Sequence, residues 1–148
     1  MDNLLNKLEE EIEQQVQLAY KNILENFQRI YALELSNGKN VDFLSLTRLH
    51  LSYSRSYKRH QMITSLIQEY CHAHKSSSLQ RHDSDEIIDA AEFNSTLYFA
   101  NMGDDARLFF NLKDWTVWEF WMDDNSVAKI ASTFEAFILD SSVDEHDD

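Results

Sequence analysis

The apolar positions of the first 28 residues recur at spacings of three and four. Leu4 or Leu5, Leu8, Ile12, Val16, Ala19, Ile23 and Phe27 fall on one stripe, so the pattern predicts a single amphipathic helix over 3–28. Glu9, Glu10, Glu11 and Glu13 crowd its N-terminal half, where the helix dipole favours negative charge. At ~1.5 Å per residue it would run on the order of 40 Å, long for a small domain. It is expected to lie across a sheet or to overhang towards a second subunit.

The period then falls to two. Tyr31, Leu33 and Leu35 alternate, "SNGKN" interrupts, and Leu44 and Leu46 resume. Asn37-Gly38 is a strong hairpin signal because both residues tolerate positive φ. Strands are expected over 30–35 and 42–54, the second carrying Leu49, Leu51 and Tyr53 on one face. "YKRHQ" reads as a polar connection. The apolar residues of "MITSLIQEYCHA" fit a strand or two helical turns; flanks that look like hairpin arms favour a strand over 60–74. "HKSSSLQRHDSD" reads as a loop, after which Asp83 or Ser84 caps a short helix over 85–92.

"STLYFAN", "ARLFFNL" and "WTVWEFWM" follow in quick succession, separated by "MGDD" and "KD", and predict an antiparallel meander. The third has Trp115, Val117, Glu119 and Trp121 on one face and Thr116, Trp118, Phe120 and Met122 on the other. Aromatic groups on both faces place it inside the sheet with material on each side. Asp124 or Asn125 then caps a helix over 126–139, with Val127, Ile130, Ala131, Phe134, Phe137 and Ile138 as its apolar stripe. Residues 141–148 read as an acidic, flexible tail. The expected fold is α+β: one domain over 1–140, with an antiparallel sheet of about five or six strands flanked by a long N-terminal helix and a C-terminal helix. Its expected core is Leu8, Ile12, Val16, Ile23, Phe27, Leu49, Leu51, Phe99, Leu108, Phe110, Val117, Phe120, Ile130 and Phe134.

Composition narrows this picture. A chain of 148 residues can bury a core without disulfides, and its one cysteine, Cys71, forms no internal bridge. With no signal-peptide pattern, lipidation motif or membrane-length apolar run, a reducing cytoplasmic location is expected. Two glycines and no proline leave no glycine-lined phosphate loop. The net charge of −13 is uneven: residues 1–47 carry 4 basic and 8 acidic groups, 48–81 carry 6 and 1, and 82–148 carry 3 and 17. Such a field repels nucleic acid and anionic lipid and favours a basic partner; serving solubility alone is the plainer alternative.

Three short stretches offer candidate chemistry. Gly103-Asp104-Asp105 resembles the metal-binding turn of viral RNA polymerases, but a two-metal site needs carboxylates from separate elements, and this triplet falls where a hairpin turn is required anyway. Cys71, His72 and His74, with His60 or His82, have metal-ligand chemistry but match no common zinc spacing. "RSYKRH" (Arg55–His60) is a basic knot around Tyr57 that could meet phosphate, or balance the acidic remainder. Trp115, Trp118 and Trp121 read as core, with one exposed member suiting an interface. No stretch supplies a complete catalytic constellation, so a non-enzymatic protein without cofactor or metal is expected.

Phe99, Ala100, Gly103, Asp104, Phe109, Val117, Trp118, Ala131, Ser132, Phe134, Glu135 and Phe137 reproduce a strand pair, a following strand and a closing helix that resemble the C-terminal part of the SMI1/KNR4, or SUKH, superfamily. The resemblance spans 97–138. It implies a non-enzymatic α+β binding domain, many of whose bacterial members look like immunity proteins that neutralise toxins, often nucleases. The expected partner is therefore a basic toxin protein, with no nucleic acid and no membrane. Asp104, Asp105, Asp123 and Asp124, at strand ends, are the candidate partner-binding carboxylates. The alternatives are a self-associating structural or regulatory domain, as a homodimer built on the N-terminal helix, and a metal-dependent phosphohydrolase using the same four aspartates.

Overall fold

A computed structural model of the chain describes residues 2–28, 30–55, 57–139 and 141–145. The expected first helix is two. α1 (Asp2–Ile12) stops at Glu13, and α2 (Leu18–Glu25) begins after a bend. The stop is a left-handed cap: Glu13 takes φ 59°, its N–H donates to Glu10 O (3.3 Å), and Gln14 N–H donates to Glu9 O (3.2 Å). The Glu9 carboxylate then accepts from Val16 N–H (2.9 Å), turning the chain back. The apolar spacing survives the break, so Leu8, Ile12, Val16 and Ile23 are all buried although no 40 Å rod exists.

β1 (Ile30–Leu35) and β2 (Asn40–Phe43) form the expected hairpin, with Gly38 at φ 84°. The strand expected over 42–54 ends at Phe43. Ser45 Oγ accepts from Arg48 N–H (3.2 Å) and starts α3 (Leu46–His50), which leaves Leu51 exposed rather than in the core. The stretch 60–74 is helical, not a strand. A 3₁₀ turn (Arg59–Gln61) runs into α4 (Met62–His74), which buries Met62, Ile63 and Ile67 at helical spacing. Lys75 closes α4 as Glu13 closes α1, at φ 50°, with Ser76 N–H on Cys71 O (3.0 Å).

β3 (Ser78–Gln80) and β4 (Ile87–Asp89) make a small ribbon, and a 3₁₀ turn (Ala90–Phe93) replaces the helix expected over 85–92. The meander is as expected: β5 (Thr96–Met102), β6 (Ala106–Asn111) and β7 (Thr116–Trp121). The helix expected over 126–139 divides into β8 (Val127–Ala131), paired with β7, and α5 (Phe134–Leu139), whose first turn is capped by Thr133 Oγ1 accepting from Ala136 N–H (3.0 Å). As a strand residue, Ile130 is exposed, and the core contribution expected of it falls to Phe134 and Phe137. Residues 141–145, expected as tail, form β9 (Ser141–Glu145) beside β1; 146–148 lie outside the described residues.

The fold is α+β, as expected, with a seven-stranded sheet in the order β8-β7-β6-β5-β2-β1-β9, every neighbouring pair antiparallel. Helices cover both faces. On one, Tyr20 of α2 meets Phe99 and Phe110, and Phe134 of α5 meets Phe43, Phe99 and Phe110, at ring separations of 5.0–6.3 Å. On the other, Phe93 meets Phe109 (5.4 Å) and Trp118 (5.0 Å) edge-on, and Thr64 of α4 donates to Phe93 O (3.0 Å). Phe27 is half-buried at the margin.

Three outcomes test this packing. Phe134→Ala should cost ~3–5 kcal/mol in denaturant melts, because Phe134 is fully buried between Tyr20, Phe99, Phe110 and Phe137. Tyr20→Phe should raise stability by about 1 kcal/mol, since the Tyr20 hydroxyl is buried without a partner. Glu13→Gly and Lys75→Gly should each raise the melting midpoint slightly, by about 0.5 kcal/mol in stability. Relief of a left-handed side chain exceeds the added unfolded-state entropy at these exposed positions.

Candidate functional site

The β2–β5 pairing sets Val41 opposite Met102, and the β5–β6 and β6–β7 pairings set Ala106 opposite Met102 and Trp121. The start of β2, the end of β5, the start of β6 and the end of β7 therefore share one end of the sheet. The Gly103-Asp104-Asp105 turn closes the β5–β6 hairpin there, with Gly103 at φ 70°. Asp104, Asp105 and Asp123, three of the four expected carboxylates, line one open cavity of about 500 Å³ at that end. Asp42 joins them from β2. Met102, Ala106 and Trp121 give the cavity apolar wall, and Lys39 is the one cation among its lining residues.

Among the described residues none of these four aspartates forms a salt bridge. Arg107, which could have neutralised them, instead donates to the backbone carbonyls of Asp104 (3.0 Å) and Ala106 (3.1 Å). The result is a concentrated negative field beside an indole, an arrangement suited to a guanidinium or ammonium group. Among the described residues no three His, Cys, Asp or Glu side chains are grouped to hold a metal ion.

Asp124 is not part of the cavity lining. Its Oδ1 accepts from Ser126 Oγ (2.6 Å) and Ser126 N–H (3.0 Å), closing the turn before β8. The Ser126 hydroxyl bond is the main reason its carboxyl sits below the usual range. Ser126 Oγ also meets His82 Nδ1 (2.8 Å), and His82 Nε2 meets Glu119 Oε1 (2.6 Å). The His82 ring lies tilted against Trp121, a residue of the cavity wall, with centroids 4.4 Å apart. These partners come from the loop after β3, from β7 and from the turn before β8. Their only sequence signal was Glu119 at an otherwise apolar position; Asp42 looked like any polar residue on an alternating strand.

The remaining candidates are not among the lining residues of this cavity. Cys71, His72 and His74 sit on the last turn of α4; His72 and His74 are exposed, and the His74 ring lies tilted against Tyr70 at 4.3 Å. Burial, with Asp89 adding to it, pushes the Cys71 thiol up. His60 and His82 lie in other clusters. In the basic knot Lys58 is bonded to Glu11, Tyr57 stacks on Tyr53 at 5.4 Å, and Arg59 covers Tyr53 at 5.6 Å; Ser56 lies outside the described residues. Trp118 is buried, while Trp115 is half-buried and donates from Nε1 to Gln14 Oε1 (2.8 Å). Among the described residues no helix is long and apolar enough to cross a membrane.

Substituting His82 by Ala should remove two polar contacts and the ring contact with Trp121. The expected loss is about 1–3 kcal/mol in denaturant melts, with a change in tryptophan emission that His72→Ala does not produce.

Comparison of the chain with protein-family models, with curated proteins and with solved structures finds no match.

Proposed function

We propose that the chain is a non-enzymatic binding protein that receives a basic partner at the acidic end of its sheet. The observation that carries this reading is the set of four aspartates without salt bridges, Asp42, Asp104, Asp105 and Asp123, around a cavity walled by Trp121. Carboxylates already committed to internal ion pairs would add little to recognition. These four keep their charge available, on short turns and strand ends held by a rigid sheet.

The finer reading is an immunity protein that neutralises a nuclease-type toxin, with the SUKH-like residues as its support. Among them Phe99, Phe109, Val117, Trp118, Phe134 and Phe137 pack the core, while Gly103 and Asp104 form the cavity turn. A nuclease holds phosphate backbones in a basic cleft, and a rigid acidic surface is the complement of such a cleft. The self-association alternative draws less support, because α1 has eleven residues and its Leu5, Leu8 and Ile12 are buried within the same chain. The phosphohydrolase alternative lacks a grouped set of metal ligands among the described residues.

Titration against a panel of cationic nuclease domains tests the reading, starting with any encoded beside this chain. A 1:1 complex should form at low salt and weaken as ionic strength rises. Replacing Asp42, Asp104, Asp105 and Asp123 together by Asn should lower affinity at least about tenfold and flatten the salt dependence, mainly through slower association. Asp124→Asn should leave affinity unchanged. Equal binding by the fourfold variant and the parent chain would remove the acidic cavity from the account.

A further inference from the structure

A second cavity lies at the other end of β5 from the acidic one. Thr96 opens that strand and Met102 closes it. Met102 lines the acidic cavity, whereas Thr96 lines an open cavity of about 250 Å³ that Glu11, Glu13 and His60 also line. His60 is 1% exposed, and its Nδ1 is 3.0 Å from Leu49 O. A carbonyl can only accept, so Nδ1 carries the proton of the neutral ring and Nε2 is left as an acceptor. That Nε2 stands 3.5 Å from Glu11 Oε2. Both atoms are buried, and neither has a hydrogen-bond partner. His50 Nδ1, at 3.6 Å from Glu11 Oε2, is too distant to be one.

Neither group relieves the conflict by changing its own charge near neutral pH. Burial leads the effects that hold His60 below its ordinary 6.5, so its ring is neutral there. Burial would push the Glu11 carboxyl up, but the Lys58 bond and the neighbouring charges outweigh it and hold the group below its ordinary 4.5. Two acceptors therefore face one another inside the protein, and that is unfavourable unless a donor comes between them.

Their spacing sets what fits between them. Hydrogen bonds that leave a single atom at the tetrahedral angle reach acceptors about 4.5 Å apart, so one water or one ammonium spans 3.5 Å poorly. A guanidinium offers near-parallel N–H bonds from adjacent nitrogens, the fork it presents to the two oxygens of a carboxylate. Charge points the same way. Glu11 and Glu13 line the cavity, no Lys or Arg among the described residues does, and Glu13 has no salt bridge among them. Lys58, bonded to the far oxygen Glu11 Oε1, balances one of the two carboxylates and leaves a place for one further cation. Tyr57 adds to the lining an aromatic surface of the kind on which guanidinium planes lie. The volume falls below the ~300–1,000 Å³ of drug-sized sites, so it admits the head group and a short stem.

We propose that this cavity binds a guanidinium group, held as a fork between Glu11 Oε2 and His60 Nε2. Three elements position the pair. Glu11 stands near the end of α1, His60 lies in the 3₁₀ turn before α4, and Leu49 of α3 fixes the imidazole tautomer through its carbonyl. The site does not depend on the acidic cavity or on the partner proposed for it. The group can arrive as a free alkylguanidine or as the side chain of an arginine in a peptide, and the same chemistry recognises both.

The test is titration with methylguanidinium, well below denaturing concentrations, of the chain with Asp42, Asp104, Asp105 and Asp123 replaced by Asn, so that the acidic cavity cannot respond. One equivalent should bind with a Kd on the order of 1 mM or tighter and should move the His60 Nε2 resonance in imidazole ¹⁵N spectra. Methylammonium, with the same charge on one nitrogen, should bind at least about tenfold more weakly. Glu11→Gln, whose amide can donate to His60 Nε2 from within, should lower the affinity for methylguanidinium at least about tenfold. Ser65→Phe, which narrows the cavity from α4 and leaves the pair intact, should do the same. Agmatine and Nα-acetylarginine N-methylamide separate the two sources: tighter binding of the first assigns a free guanidine, of the second a peptide arginine. The proposal is overturned if methylguanidinium shows no saturable binding, if methylammonium binds as well, or if the His60 Nε2 resonance does not respond. It is overturned equally if Glu11→Gln and Ser65→Phe bind like their parent. The His60 resonance of the unaltered chain decides the matter even if a variant does not fold.

Discussion

The pairing of β2 with β5 is the contact on which the rest of the molecule depends. Val41, Asp42 and Phe43 lie opposite Met102, Asn101 and Ala100, across a connection that holds α3, α4 and the β3–β4 ribbon. Without it there would be two separate sheets, each with one further unsatisfied edge. With it the two become one sheet wide enough to carry helices on both faces. The same pairing brings Phe43 of β2 against Phe99 of β5 at 6.1 Å, so hydrogen bonds and aromatic packing reinforce one register.

That register also makes the acidic cavity. Asp42 and the Asp104-Asp105 turn are far apart in the chain, and Asp123 belongs to a third connection. They converge because consecutive antiparallel strands bring alternate ends to the same rim. The carboxylates need no special backbone to meet there, only correct strand order. His82 adds precision from outside the sheet, since it links the loop after β3 to β7 and to the turn before β8 and lies against Trp121.

The meander was legible because Thr96–Met102, Ala106–Asn111 and Thr116–Trp121 are short, aromatic and separated by turn residues. Helix ends were not. A chain with two glycines ends α1 at Glu13 and α4 at Lys75 in the left-handed region, so these stops lack the usual residue marker. The division of 126–139 was hidden for another reason. Val127, Ile130 and Ala131 satisfy a helical stripe on paper, but an open β7 edge captured them as a strand. In 60–74, by contrast, the helical spacing of Ile63, Ile67 and Tyr70 was present and was outweighed by the expectation of a hairpin. Three of the four proposed carboxylates were visible as turn residues; Asp42 was not, because only tertiary strand order distinguishes it from other polar strand positions.

β9 gives the sheet a particular order of assembly. β1 finds β2 through a short turn, but its other neighbour is contributed by Ser141–Glu145, near the opposite end of the chain. During vectorial synthesis the outer edge of β1 is therefore exposed until Ser141–Glu145 has emerged. A nascent chain paused before that point presents an unpaired strand edge to its neighbours, and intermolecular strand exchange competes with completion of the sheet. The segment that looked most dispensable is thus the one that separates a completed sheet from an aggregation-prone intermediate.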